Sequence, residues 1–169
     1  GMKQLGPLPP GEYLLKVTKV ETKDKTDNGV VTGTTFVVTS QVLGAEKLPP
    51  SESVRDYVDR PFSDFIFVMS PNHSRYEDVA TNGTQIGMIG VNTLKSWLVA
   101  CGVTIKNDEF DESKAIGKWF EARIGTRPYK DREGNDRVGN QVYEYRVHED
   151  ESAEDSAPDA VEFEDDIIK

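Results

Sequence analysis

The sequence predicts a mainly β body, with five β-segments and one main helix (about 92–101) between the third and fourth, followed by an acidic tail. Three observations carry this. Runs rich in Val, Tyr, Phe, Ile and Thr alternate with polar residues at the two-residue period of a strand. Asn-Gly and Gly-Asn pairs stand between those runs, where a tight turn is needed. The last 21 residues, 149–169, differ in kind: ten are acidic, and Lys169 is the one basic residue.

Residues 8–43 read as a long β-hairpin. Pro9-Pro10-Gly11 is a turn entry, and Tyr13, Leu15 and Val17 alternate onto one face with Lys16 and Thr18 on the other. Asp27-Asn28-Gly29 marks the turn, because Asn and Gly tolerate positive φ. Gly33 in the return strand predicts a bulge or a sharp bend. The polar connection 44–60 holds Pro49-Pro50, and Ser51 is placed to cap a short helix over 52–59. The run PFSDFIFVM (61–69) is apolar enough to be read as a third strand buried on both faces. Residues 70–90, with Pro71, Gly83, Gly87 and Gly90, read as irregular. In 91–102, Leu94, Trp97, Leu98 and Cys101 share one helical face, Asn92 is the expected N-cap and Gly102 the stop. In the fourth strand, 118–129, Phe120, Ala122 and Ile124 face one way and Trp119, Glu121, Arg123 and Arg127 the other. A charged loop around Gly134-Asn135 leads to the closing strand, 139–148. This order of elements matches an OB-fold barrel, and other small β-barrels share the count.

The chain therefore divides into a body, 1–148, and a flexible tail, 149–169. The tail carries −9 of the chain's net −10, which leaves −1 for the body. Such a composition cannot bury enough apolar surface to offset its chain entropy. Its tip sets Phe163, Ile167 and Ile168 around Glu164, Asp165 and Asp166, a pattern suited to docking on a partner. Gly1 ahead of Met2 reads as a cleavage scar. No secretory signal or membrane-spanning run is read, and Cys101 is alone, so a cytoplasmic location is expected.

Catalytic signals are weak. The two histidines, His73 and His148, and one cysteine form no cluster at zinc-ligand spacing. GTQIGMIG (83–90) lacks the Lys-Ser/Thr of a phosphate loop. Asp111-Glu112-Ser113-Lys114 is explained by the start of a short helical turn. No enzyme, metal or cofactor is expected.

The stretch 118–148 has a different character. It holds seven cations, including Arg123, Arg127, Lys130 and Arg146, together with Trp119, Tyr129, Tyr143 and Tyr145. Cations replace phosphate counterions and rings offer a surface on which bases stack, the two requirements of a single-strand binder. Lys16 and Lys19 of the first strand would add charge. Five acids in the same stretch reduce its net charge to +2, so an ordinary solvated sheet face is the competing reading.

The segments LPPGEYLLKVTKVE, NTLKSWLVACGV and GKWFEARIGTRPYKDREGNDR resemble those of phage-encoded single-stranded-DNA-binding proteins, over most of 8–147. The tail EFEDDIIK is similar to the acidic tips of bacterial and phage single-strand binders, although those usually end in an aromatic residue and this one ends Ile167-Ile168-Lys169. The resemblance implies an OB-fold, non-catalytic coverage of single-stranded DNA during replication and recombination, and a tail that recruits proteins of those processes. It would place the chain in the host cytoplasm and allows a homo-oligomer. The alternative is a protein-interaction or phage structural module whose tail is a docking peptide or DNA mimic.

Overall fold

The structure, a computed structural model, describes residues 6–148. Its five strands form one antiparallel sheet: β1 (Gly11–Asp27), β2 (Val30–Glu46), β3 (Pro61–Met69), β4 (Trp119–Lys130) and β5 (Asp136–Val147), in the spatial order β3-β2-β1-β4-β5. The predicted five β-segments and single helix are present. The sheet is not closed into a barrel by backbone hydrogen bonds, because β3 and β5 are its two edges.

The hairpin turn falls where the sequence places it. Asn28 (φ 51°) and Gly29 (φ 80°) form a two-residue connection between β1 and β2, in the positive-φ conformation those residues accept. Lys25 pairs with Gly33 while Thr26 pairs with Val31, so Thr32 is the extra residue of a bulge beside Gly33. A Cβ on Gly33 would lie 2.3 Å from the Phe67 ring, so the glycine is also what lets that ring cross the strand.

The helix α1 (Ile86–Ala100) starts earlier than predicted, with Gln85 rather than Asn92 at its N-cap and no side-chain cap. Asn92 lies inside the helix, where its backbone carbonyl accepts a hydrogen bond from the Ser96 hydroxyl. The glycines at 87 and 90, which suggested a loop, are contacts instead. A Cβ on Gly90 would sit 1.8 Å from the Phe67 carbonyl oxygen, so this residue lets α1 lie directly on the β3 backbone. The helix ends as predicted at Gly102 (φ 74°). The Gly102 N–H bonds the Val99 carbonyl at 3.0 Å and the Val103 N–H bonds that of Leu98 at 2.9 Å, a Schellman cap.

Leu94, Trp97, Leu98 and Cys101 of this helical turn are buried against Tyr13, Leu15, Val17, Val38, Val42, Phe120, Ala122 and Ile124 from the inner sheet face. Between β2 and β3, the expected helix over 52–59 shrinks to a 3-10 turn at Val54–Asp56. Ser53, not Ser51, precedes it, and no side chain caps it. Among the described residues no helix is long and apolar enough to cross a membrane.

Candidate nucleic-acid interface

Residues paired across neighbouring strands share a face, so the register fixes what the outer side of the sheet displays. On β4 that side carries Trp119, Glu121, Arg123, Gly125, Arg127 and Tyr129, as the alternation predicts. Across β3, β2 and β1 it carries the rows Ser63–Thr39–Lys19, Phe65–Val37–Glu21, Phe67–Thr35–Lys23 and Met69–Gly33–Lys25.

The β3 segment corrects one expectation with consequences for the site. The run 61–69 is not buried on both faces. As an edge strand it turns Phe62 and Ile66 inward and leaves Phe65 67% exposed. Pro61 at its first position is the sequence signal for an edge, since proline cannot donate to a ladder.

Phe65 borders a cleft of about 730 Å3 between β3 and the far half of the β4–β5 hairpin. Arg60, Phe65, Arg127 and Tyr129 line it, with Leu8, Phe62, Pro128 and Asn140 among their neighbours and no acidic residue in the lining. Tyr129 is 52% exposed, and its ring lies 3.2 Å from where a Cβ on Gly139 would be. The Arg60 guanidinium lies over the Tyr57 ring, 5.5 Å from its centre, and donates to the Gly6 carbonyl. Asn140 holds the N-terminal segment in place: its Oδ1 accepts from the Leu8 N–H at 2.9 Å and its Nδ2 donates to the Leu8 carbonyl at 2.8 Å. No acidic side chain among the described residues pairs with Arg127.

The other predicted site residues are placed unequally. Lys16 and Trp119 stand opposite each other across β1 and β4. Trp119 is half-buried, its ring 5.9 Å from that of His148 and its indole N–H buried without a partner among the described residues. That leaves only part of the indole for stacking. Tyr143, 49% exposed, sits at the β-bulge of β5 where Arg123 pairs with Glu144 and Ile124 with Val142. The Arg123 guanidinium lies over its ring at 5.1 Å, and Gly125 leaves room beneath, since a Cβ there would be 2.4 Å from the ring.

Four further predicted residues have partners within the fold. Tyr145 faces inward: it packs on Phe120 at 6.2 Å between ring centres and donates its hydroxyl to Asp64, so it offers no stacking face. Arg146 is committed to Glu12 (3.0 Å) and Glu144 (3.7 Å). The Glu12 carboxyl is held below the usual range by a hydrogen bond from Lys47 and, after an opposing effect of burial, by the Arg146 charge. Lys130 is paired with Asp136 at 2.8 Å. Lys19 lies past the end of the β1–β4 ladder, on the same face as Lys23 and Lys25, and makes an exposed pair with Glu21 at 3.3 Å. The sequence places these cations on their strands but does not reveal the acids they meet, Glu12 and Asp136 on other strands and Glu21 and Glu144 on their own.

Sequence reasoning missed Arg60, Phe65, Phe67, Lys23 and Lys25. Phe65 and Phe67 were hidden in an apolar run, and Arg60 in a connection; Lys23 and Lys25 follow Lys16 and Lys19 on a strand from which only those two were singled out. The tail residues Phe163, Glu164, Asp165, Asp166, Ile167 and Ile168 lie outside the described residues. Also among the described residues, no three His, Cys, Asp or Glu side chains converge as a metal site. Compared with known families and with curated proteins, the chain matches neither a family model nor an individual sequence.

Proposed function

We propose that this chain binds single-stranded DNA without catalysis, gripping it in the cleft between β3 and the β4–β5 hairpin and along the outer face of β1–β3. The observation that carries the reading is the composition of the cleft: two arginines, two exposed rings and no carboxylate, in a chain of net charge −10. A polyanion with splayed bases needs cations for its phosphates and ring faces for its bases. Phe67, Lys23 and Lys25 would continue that surface from Phe65 across the sheet. Arg123 and Tyr143 would extend it along β4 and β5.

The strand order, and a helix between β3 and β4, support reading the open sheet as an OB-fold. That fold is a partly open five-stranded barrel whose β2–β3 face and β1–β2 and β4–β5 loops take oligonucleotides. The surface assembled above lies on those elements. The resemblance of 8–147 to phage single-strand binders supports a role in phage DNA replication and recombination in the host cytoplasm. In this reading the acidic tail limits access to the cleft and recruits partner proteins, because a segment of charge −9 competes for the cations a DNA strand would use.

Fluorescence anisotropy of a dye-labelled oligo-dT tests the proposal better than intrinsic emission, since Trp97 is fully buried and Trp119 half-buried. Binding should weaken with salt, with a log–log slope of about −0.7 per phosphate neutralised. No binding at low salt, by the full chain or by residues 1–148, would reject it in favour of a protein-interaction or phage structural module.

A further inference from the structure

The β1–β2 hairpin extends beyond the rest of the sheet. β1 pairs with β4 only over Gly11–Lys16, and the ladder closes with the Val17–Lys118 and Gly117–Val17 backbone hydrogen bonds. From Thr18 to Asp27 β1 keeps β2 on one side, and no strand among the described residues pairs with its other edge. Apart from the half-buried Val20, every residue of that stretch is exposed. A strand edge of this length presents a row of unpaired backbone groups that another strand can extend.

The charges on this strand indicate which strand fits. Lys19, Glu21, Lys23, Lys25 and Asp27 alternate onto one face, because β1 has no bulge between them. Two copies joined edge to edge by a two-fold axis normal to the sheet form an antiparallel pair. That symmetry places only residues of the same face opposite each other.

Four centres of symmetry are then available near the middle of the stretch. Centred on Glu21, the pairing sets Glu21 against itself and Lys19 against Lys23. Centred on Asp24, it sets Asp24 against itself, Lys23 against Lys25 and Glu21 against Asp27. Centred on Thr22, two Glu21–Lys23 attractions are cancelled by two Lys19–Lys25 repulsions. Centred on Lys23, it sets Glu21 against Lys25 twice and Lys19 against Asp27 twice, with a single Lys23–Lys23 repulsion. Only this last register is complementary.

We infer that the chain forms a symmetric dimer through the Thr18–Asp27 edge of β1, in the register centred on Lys23, so that two sheets become one. The Lys19–Glu21 pair within one chain does not oppose this, because both side chains are largely exposed (62% and 44%) and such pairs are weak. The inference does not depend on DNA binding. If both hold, the Phe65–Phe67 faces of two copies lie on the same side of a joined sheet.

Sedimentation equilibrium of the full chain over a range of concentrations, at about 0.15 M ionic strength, measures the association directly. Glu21→Lys and Lys25→Glu should each weaken it by about tenfold or more, since each turns two attractions into two repulsions. The double variant Glu21→Lys/Lys25→Glu restores both attractions with reversed polarity and should return dimerisation to near the wild-type value. Circular dichroism confirms that each exposed-site variant is folded. A wild-type chain that stays monomeric throughout, or a double variant as weak as the single ones, overturns the inference.

Discussion

Tyr145 on β5 donates its hydroxyl to the carboxylate of Asp64 on β3, joining the two strands that form opposite edges of the sheet. The curled sheet is thus bridged at its open seam by side chains where a closed barrel would use a backbone ladder. The cleft proposed to hold DNA lies between the same two strands, so the seam and the site share their walls.

Replacing Tyr145 by Phe removes this bridge and takes from a desolvated carboxylate one of its two donors, the other being the Phe65 backbone N–H. The expected cost is about 1–3 kcal/mol, read as a lower urea midpoint with an unchanged slope. An unaltered midpoint would show that the seam is held by apolar packing alone.

Burial raises the Asp64 carboxyl above its ordinary 3.8, and the Tyr145 hydrogen bond only partly opposes that shift. The folded state therefore binds this proton more tightly than the unfolded chain. The associated stabilisation is complete below the ordinary carboxylate pKa and is lost as pH rises through the higher folded value. Asp64→Asn should accordingly gain stability relative to wild type as pH increases over that interval. Denaturation curves for both proteins at several pH values check the sign, and parallel curves would contradict it.

Gly90→Ala should destabilise the fold despite alanine's better helix propensity. The added methyl would meet the Phe67 carbonyl at 1.8 Å, so α1 must move off β3. Overpacking of this kind costs about 1–3 kcal/mol, against about 1 kcal/mol gained in propensity. Gly44→Ala on β2, where nothing lies within 4 Å, gives the effect of an added methyl without a clash. Thermal denaturation of the two variants separates the effects.

Phe65→Ala and Tyr129→Ala should each weaken oligo-dT binding by about 1–3 kcal/mol if the rings stack on bases. Arg127→Ala should instead reduce the salt slope by roughly one phosphate's contribution. Tyr145→Phe, which keeps its inward ring, should leave the stacking contribution intact. Anisotropy titrations at several salt concentrations distinguish these responses.

Deleting residues 149–169 removes a charge of −9 and should tighten oligo-dT binding, most at low salt. Equal affinity with and without the tail would remove its inhibitory role while leaving the binder itself standing.

Local chemistry made much of the fold legible in the sequence. Asn28-Gly29 accept positive φ and so fix the long hairpin. Phe120, Ala122 and Ile124 alternate with Trp119, Glu121 and Arg123 and so fix the faces of β4, while Gly102 ends the helix it follows. These are properties of a few consecutive residues. What lay beyond the sequence depends on which segments become neighbours. Gly87 and Gly90 read as loop residues until β3 and Tyr76 are seen against them, where only a residue without a side chain fits.

The candidate site divides in the same way. The sequence by itself determined that Arg123, Arg127 and Tyr129 project from one side of a strand, and that the net charge concentrates after residue 148. Tertiary structure decided which cations meet an acid: Glu12 reaches Arg146 and Asp136 reaches Lys130, whereas Arg127 and Arg60 line a cleft with Phe65 and no acid. Backbone periodicity sets the direction of a side chain within its own element. Its electrostatic partner belongs to another strand, and only the register of the sheet brings the two together.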